Sequence, residues 1–261
     1  MMKIACQAIV FGNEHIKSDI ERVMRCMAEI GYDGAEIGAR HFDLDRPEYY
    51  MELLHQHGLA LPAIHVGGDF LNRDSVAQQL ESIGRTVRFA ARLGCEYMYV
   101  SGAYAPDKSD EDYIHEASTY AEIGRRCVDA GLVLCYHNHD WEFENDARGM
   151  ALLMEHVPEE LMKLVPDVGW IAVAGGDPAA FITEHAERVK ALHFKDFAHD
   201  QKPRAFTELG SGIVEFGAVM EWVKSRGEIW VTAEQDETAR KPEESAALNY
   251  AFIKGRGEQN V

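Results

Sequence analysis

The sequence predicts a single (β/α)8 barrel, the TIM-barrel fold of the α/β class, and three observations carry that prediction. Eight strand-like runs alternate with eight helix-like runs along the chain. Acidic residues and histidines collect where several of the predicted strands end. The length of 261 residues is close to that of an ordinary barrel and leaves little for a second domain. We therefore expect one domain over residues 1–261.

Hydrophobic periodicity justifies each strand and helix in turn. Residues 3–11 form the first predicted strand, and residues 16–30 follow with apolar side chains at helical spacing. The later predicted strands cover residues 34–38, 61–66, 97–101, 132–137, 163–168, 189–194 and 229–234. The later predicted helices cover residues 47–57, 75–93, 111–130, 149–156, 178–188, 219–225 and 242–253.

Glycines follow many of the predicted helices, at positions where a left-handed residue would end the helix. We expect a positive φ angle at Gly31, Gly58, Gly94, Gly131 and Gly227. The polar end of the chain, residues 255–261, is expected to fray.

Composition excludes several classes of function. The formal net charge of −18 argues against a nucleic-acid partner, because affinity for nucleic acid rests on lysine and arginine. The five cysteines form no CxxC pair and are expected to be reduced thiols. The N-terminus turns polar early, and no run approaches the roughly 20 apolar residues of a membrane span. We therefore expect a cytoplasmic protein without a membrane partner.

Four candidate metal ligands lie at or just after the ends of the fifth to eighth predicted strands. They are Glu142, Asp167, His193 and Glu234. Each has a structural explanation when taken alone, as a loop carboxylate, a cap, a buried histidine or a partner of arginine. Together they favour a metal, because an ionised carboxylate at the end of the apolar run 230–234 needs a cation or strong donors. Three carboxylates and one imidazole suit Mn²⁺, Mg²⁺ or Co²⁺, and Zn²⁺ less specifically.

Five short motifs resemble those of the xylose isomerase-like sugar phosphate isomerase/epimerase barrels. They are His-Phe-Lys-Asp at 193–196, Asp-Val-Gly-Trp at 167–170, His-Asn-His-Asp-Trp-Glu-Phe at 137–143, Glu-Leu-Gly-Ser-Gly at 208–212 and Glu-Gln-Asp at 234–236. The resemblance implies a divalent metal, with Mn²⁺ expected first, held by Glu142, Asp167, His193 and Glu234.

The resemblance has one departure. In the ketose 3-epimerase branch the first glutamate ligand lies within the fifth strand, where this chain has Tyr136 and His137. The form found here is more similar to members that act on oxidised sugars, which include inosose dehydratase-like and 3-keto-glycoside-processing proteins. His137 itself is expected to face the opposite side in a structural role.

Four residues are candidates for the chemistry of such a site. His139 is either a general acid or base, or a residue that orients Glu142. Lys195 shares a strand face with His193 and either stabilises an oxyanion or pairs with a neighbouring carboxylate such as Asp196. Glu142 and Glu234 combine ligation with a catalytic role.

Three further residues are candidates for substrate binding. Glu36 and His65 could each hydrogen-bond a sugar hydroxyl or be buried polar groups satisfied by their neighbours. Trp170, like Trp141, could stack on a pyranose ring or pack in the core.

These observations predict an enzyme that removes a proton α to a carbonyl in a sugar or keto sugar. An isomerase or epimerase ranks first, and a lyase acting on an inosose or 3-keto-glycoside ranks second. A nuclease related to abasic-site endonucleases and a non-catalytic scaffold are weaker alternatives. The expected partner is a small carbohydrate, with no evident phosphate subsite, and homo-oligomer formation stays open. The sequence does not decide which sugar is bound.

Overall fold

The computed structural model describes residues 1–200, 202 and 204–258. The strands are β1 (Met2–Gln7), β2 (Gly34–Gly38), β3 (Ala63–Val66), β4 (Tyr97–Val100), β5 (Val133–Tyr136), β6 (Lys163–Leu164), β7 (Ala191–Phe194), β8 (Asp196–Phe197), β9 (Phe206–Thr207) and β10 (Ile229–Ala233). Apart from β8 and β9, they form one parallel sheet of eight strands in the order β6-β5-β4-β3-β2-β1-β10-β7. Parallel bridges from Leu164 to Val189 and from Asp167 to His193 bring β6 and β7 together. The predicted (β/α)8 fold is confirmed.

Helices surround the barrel and connect its strands. They are α1 (Asn13–Ser18), α2 (Ile20–Ile30), α3 (Pro47–His57), α4 (Val76–Arg92), α5 (Asp110–Asp129), α6 (Glu144–His156), α7 (Val168–Val173), α8 (Pro178–Glu184), α9 (Phe216–Ser225) and α10 (Pro242–Glu258). None of the helices within the described residues is long and apolar enough to cross a membrane.

Several predicted boundaries differ from the structure. The first predicted helix is two helices, because Asp19 leaves helical geometry and its side chain caps α2. The first and sixth predicted strands are too long: β1 stops at Gln7, and the chain after β6 begins helix α7 at Val168. The last helix continues to Glu258, so the first part of the expected frayed end is helical. Residues 259–261 lie outside the described residues.

Four of the five glycine predictions are confirmed. Gly31, Gly58, Gly94 and Gly131 have φ angles of 111°, 66°, 77° and 78°. The prediction for Gly227 is wrong, since α9 ends at an extended Arg226 and Gly227 has no positive φ.

The barrel interior determines where the functional side chains lie. A layer of seven buried residues fills its centre: Ala5, Ala63, Tyr99, Cys135, Val165, Ala191 and Trp230. Side chains alternate across a strand, so the residue two positions later on each strand again faces the barrel axis. Those later positions lie at the carboxyl ends of the strands, which is the face where barrel active sites are built. They include His65, Ser101, His137, Asp167 and His193.

Candidate metal centre and active site

Four buried side chains meet at the carboxyl ends of adjacent strands. His137 follows β5, Asp167 follows β6, His193 lies in β7, and Glu234 follows β10. One potential ligand atom from each of the four lies within 4.8 Å of every other, which is close enough for shared metal ligation. Three of the four expected ligands are therefore brought together.

The fourth expected ligand, Glu142, is replaced in this cluster by His137. Glu142 is buried but accepts hydrogen bonds from the Tyr136 hydroxyl at 2.9 Å and from the His139 backbone N–H at 2.7 Å. It is no member of the cluster found among the described residues. Because Cys135 faces the barrel interior and Tyr136 packs in the outer core, strand alternation turns His137 inward. The expectation that His137 faces away is corrected.

The hydrogen bonding of Asp167 and Glu234 fits a cation. Asp167 Oδ1 accepts the backbone N–H groups of Gly169 and Trp170 and so caps α7. Its Oδ2 is buried without a hydrogen-bond partner among the described residues. Glu234 Oε2 lies 2.5 Å from His193 Nδ1 and 3.1 Å from His137 Nε2. Buried polar atoms that converge in this way are costly unless a cation or proton satisfies them, so the cluster is consistent with a divalent metal site.

The electrostatic balance of the cluster also favours positive charge. Burial alone would lower the pKa of His193, but the carboxylates of Glu36 and Glu234 raise it to about 10. Burial opposes ionisation of Glu234, yet Lys195, His137 and His193 hold its pKa well below the usual range. The same arrangement of carboxylates that stabilises a protonated imidazole would stabilise a metal cation, whose binding displaces that proton.

Lys195 lies beside the cluster, as its strand position predicts. Its Nζ is 3.0 Å from Asp236 Oδ2, 3.4 Å from Glu234 Oε1 and 3.5 Å from Asp167 Oδ2. The ammonium group also lies 4.8 Å from the centre of the Trp170 ring. Burial opposes its charge, but Asp236, Glu234 and Asp167 raise the pKa of Lys195 above its ordinary value. Lys195 is therefore a fixed positive charge at neutral pH.

His139 lies next to His137, and its ring contacts those of His137 and Trp141. Its ring is parallel to Trp141 at 4.2 Å, and its centre is 5.3 Å from that of His137. The Nδ1 atom is buried without a hydrogen-bond partner among the described residues. Burial and the neighbouring His137 and Lys195 lower the pKa of His139 well below its ordinary value. The imidazole is thus neutral at neutral pH and has a free nitrogen.

The three expected substrate-binding residues are near the cluster, in different surroundings. Trp170 packs between Lys195 and His139, with ring centres of Trp170 and His139 5.5 Å apart. His65 is partly buried, and its Nε2 lies 2.8 Å from Ser101 Oγ. Glu36 is completely buried with its carboxylate beside His193, and a buried polar group next to its neighbours is one of the two alternatives that the sequence left open.

Two residues hold the site together in roles that the sequence did not indicate. One of them, Asp196, was expected only as a possible partner of Lys195, whose ion pairs are instead with Asp167, Glu234 and Asp236. Asn138 clamps the chain at Asp167, since its Oδ1 accepts the Asp167 N–H at 2.9 Å and its Nδ2 donates to the Asp167 carbonyl at 3.3 Å. Asp196 accepts the backbone N–H groups of Gly210 and Gly212, each at 2.9 Å. The Asp196 carboxylate therefore organises the glycine-rich loop that follows the short hairpin of β8 (Asp196–Phe197) and β9 (Phe206–Thr207).

The pH dependence of folding stability can test the buried environment of Glu142, which lies outside the four-residue cluster. Burial raises the pKa of Glu142 to about 7, although the hydrogen bonds from His139 and Tyr136 partly oppose this. Lys108 lowers the pKa and Glu116 raises it. Between about pH 4.5 and 7 the unfolded chain releases this proton while the native chain keeps it, so stability falls as the pH rises.

We expect Glu142→Gln to remove this loss of stability from the metal-free protein. The amide can accept the His139 N–H and donate to the Tyr136 oxygen, and it does not ionise. The free energy of unfolding of the wild type should fall relative to the variant by on the order of 3 kcal/mol across that pH window. Urea denaturation at several pH values measures the difference, and parallel pH profiles would contradict the assigned environment.

Comparison with known proteins agrees with this architecture. The sequence model of the xylose isomerase-like TIM barrel family matches residues 24–255. The chain belongs to this family. It is 26% identical to an inosose dehydratase of Geobacillus kaustophilus over 89% of this chain and 86% of that protein.

Solved structures share the fold at lower identity. A sugar phosphate isomerase/epimerase from Parabacteroides distasonis has a TM-score of 0.79 at 19% identity, over 98% of this chain and 94% of that chain. The 3-keto-D-glucoside 4-epimerase of E. coli has a TM-score of 0.78 at 17% identity, over 98% of this chain and all (100%) of that chain.

Proposed function

We propose that the protein is a metal-dependent isomerase or epimerase of sugars or keto sugars, and that it begins by removing a proton α to a carbonyl. The observation that carries this proposal is the buried cluster of His137, Asp167, His193 and Glu234, with a neutral His139 and a charged Lys195 beside it. With a metal ion bound, such a site would bring together a divalent cation, a neutral imidazole base and an ammonium group around one small volume.

The four clustered residues would hold the metal ion. A divalent cation bound there would polarise a sugar carbonyl and stabilise negative charge that develops on its oxygen. Two imidazoles and two carboxylates suit Mn²⁺, Co²⁺ or Zn²⁺ better than Mg²⁺, which prefers oxygen ligands. We keep Mn²⁺ as the first candidate, with Co²⁺ and Zn²⁺ next.

His139 is the proposed general base. Its neutral ring has an unpaired Nδ1 close to the cluster, which is the state that accepts a proton from carbon. The stack on Trp141 fixes the plane of the ring and limits its rotation. The Glu142 carboxyl, which accepts the His139 backbone N–H, holds the loop in place.

Lys195 is the proposed electrophile. Its ammonium group faces Glu234 and Asp167 and keeps its proton, so it can donate a hydrogen bond to an oxyanion but cannot act as a base at neutral pH. Trp170 lies against both Lys195 and His139 and would pack against the apolar face of a sugar ring.

The loop after β9 supports a substrate without phosphate. Backbone N–H groups in a glycine-rich loop can bind phosphate when they are free. Here Gly210 and Gly212 donate theirs to the Asp196 carboxylate, and a negative charge already occupies that position. A neutral sugar or keto sugar is the substrate class that this site fits best.

A lyase acting on an inosose, as a dehydratase, or on a 3-keto-glycoside is the second candidate. The sequence similarity to an inosose dehydratase over most of both chains favours it. Both candidates share the first step, and they differ in whether the proton returns to carbon or a β-substituent leaves. The leaving group is water from an inosose and the aglycone alcohol from a 3-keto-glycoside.

The experiment is a screen of aldoses, ketoses, inososes and 3-keto-glycosides with Mn²⁺-loaded protein in D₂O. We expect deuterium at the carbon α to the carbonyl of at least one substrate, detected by NMR. A product whose mass changes only by the incorporated deuterium indicates an isomerase or epimerase. Loss of water or of the aglycone alcohol, detected by mass spectrometry, indicates a lyase. Absence of exchange and of turnover with all of these sugars would contradict the proposal.

A further inference from the structure

The two imidazoles of the cluster are joined behind it by side chains from β2, β3 and the end of β4. His193 Nε2 lies 2.7 Å from Glu36 Oε2, and His65 Nδ1 lies 3.6 Å from Glu36 Oε1. His65 Nε2 is 2.8 Å from Ser101 Oγ, which is 3.3 Å from His137 Nδ1. We call Glu36, His65 and Ser101 the rear link, because they connect the outer nitrogens of His193 and His137.

The rear link is largely buried, and its carboxylate has no lysine or arginine partner among the described residues. Glu36 has no solvent exposure, Ser101 is 8% exposed, and the His65 side chain is 16% exposed. Within residues 1–200, 202 and 204–258, the ion-pair contacts of Glu36 are with His65 and His193 alone. An ionised carboxylate with no lysine or arginine partner must be stabilised by these two rings.

The direction of the hydrogen bonds follows from ligation. A histidine that binds a metal through one nitrogen carries its proton on the other. His193 would then carry its proton beside Glu36, in a 2.7 Å charge contact that lacks hydrogen-bond geometry, and His137 would donate to Ser101. The Ser101 hydroxyl would donate its own proton to His65 Nε2. His65 would therefore carry its proton on Nδ1, which faces Glu36. That last contact is too long for a hydrogen bond and acts as an electrostatic attraction.

From these contacts we infer that the rear link is a set of positioning residues that fixes the tautomer and the ring orientation of both histidine ligands. Ser101 connects the two rings, because its hydroxyl accepts a hydrogen bond from His137 and donates one to His65. The inference rests on the proposed metal site. It also assigns a role to Glu36, as a buried negative charge directly behind a ligand set that contains two carboxylates.

The test is a titration of metal-free protein with Co²⁺ alone, followed by visible absorption. For Ser101→Ala we expect a dissociation constant about 10–100-fold above that of the wild type, while circular dichroism shows that the metal-free variant is still folded. Ser101→Thr, which keeps the hydroxyl, should restore tight binding. His65→Phe, which removes both nitrogens from the link, should weaken Co²⁺ binding as Ser101→Ala does.

Thr232→Val is the matched control, because it removes a buried barrel hydroxyl that has no hydrogen-bond partner among the described residues. It should leave Co²⁺ affinity unchanged. Wild-type affinity in both Ser101→Ala and His65→Phe would overturn the rear link, as would equal weakening by Thr232→Val. Failure of the wild type to bind Co²⁺ would contradict the metal site itself, and the two failures are therefore distinguishable.

Discussion

Glu234→Gln is expected to abolish turnover while the barrel stays folded. Glu234 Oε2 faces both histidines of the cluster and its Oε1 faces Lys195, so the substitution removes a negative charge that three cationic or metal-binding groups share. The loss of activity should exceed the ~10–100-fold decrease typical for residues behind a ligand. Steady-state rates with saturating metal measure it.

The control for the Glu234→Gln variant is Glu221→Gln, at an exposed position on α9. It makes the same chemical change far from the cluster and should keep wild-type activity. Circular dichroism should show the same fold for both variants. If the metal-loaded Glu234→Gln protein turned over substrate at the wild-type rate, the chemistry would have to lie elsewhere in the barrel.

His139→Ala is expected to stop proton exchange at the α carbon while metal content stays near one ion per chain. Removing a general base costs about 10²–10⁴-fold in rate. Deuterium uptake measures the exchange, and elemental analysis measures the metal. His156→Ala, at an exposed position near the end of α6, is the matched control and should exchange normally.

The same variant separates the two roles that the sequence left open for His139. Glu142 accepts the backbone N–H of His139, which alanine retains, so the imidazole is not needed to hold that carboxyl. If the ring acted only by positioning ligands, metal affinity would fall and excess metal would restore activity. Wild-type exchange at low metal concentration would contradict both roles and leave His139 as a packing residue.

The sequence was sufficient to predict the barrel because each unit repeats the same local pattern. Buried strands, amphipathic helices and terminating glycines each have a local physical cause. The errors lie where a side chain changes the backbone locally. Asp19 and Asp167 each cap the start of a helix at a position that hydrophobic periodicity does not reveal, and each cap shortens or divides a predicted element.

Three of the four clustered residues could be predicted from strand ends, and the fourth could not. Glu142 looked like a ligand because carboxylates bind metals, but the turn that follows His139 buries it against Tyr136. The signal that identifies His137 is strand alternation: it stands two residues after Cys135, as His193 stands two residues after Ala191. Applying that alternation requires the strand register, which the sequence did not supply.

The position of Glu36 depends on contacts between distant strands. Its neighbours His65 and His193 lie on β3 and β7, far from Glu36 in the sequence, and no local pattern links them. A glutamate that binds a sugar hydroxyl and a glutamate that lies behind a metal-binding histidine look the same in the sequence. Only the distances within the folded barrel separate the two roles.

The metal content of the reloaded protein tests the central claim most directly. After chelation and incubation with Mn²⁺, elemental analysis should find about one ion per chain in the wild type and in Glu142→Gln, and none in Asp167→Asn. The asparagine keeps the Oδ1 cap on α7 but places an amide at the position of Oδ2, the carboxylate oxygen that has no hydrogen-bond partner among the described residues. A metal-free wild type, or an Asp167→Asn protein that binds Mn²⁺ while Glu142→Gln does not, would contradict the assigned site.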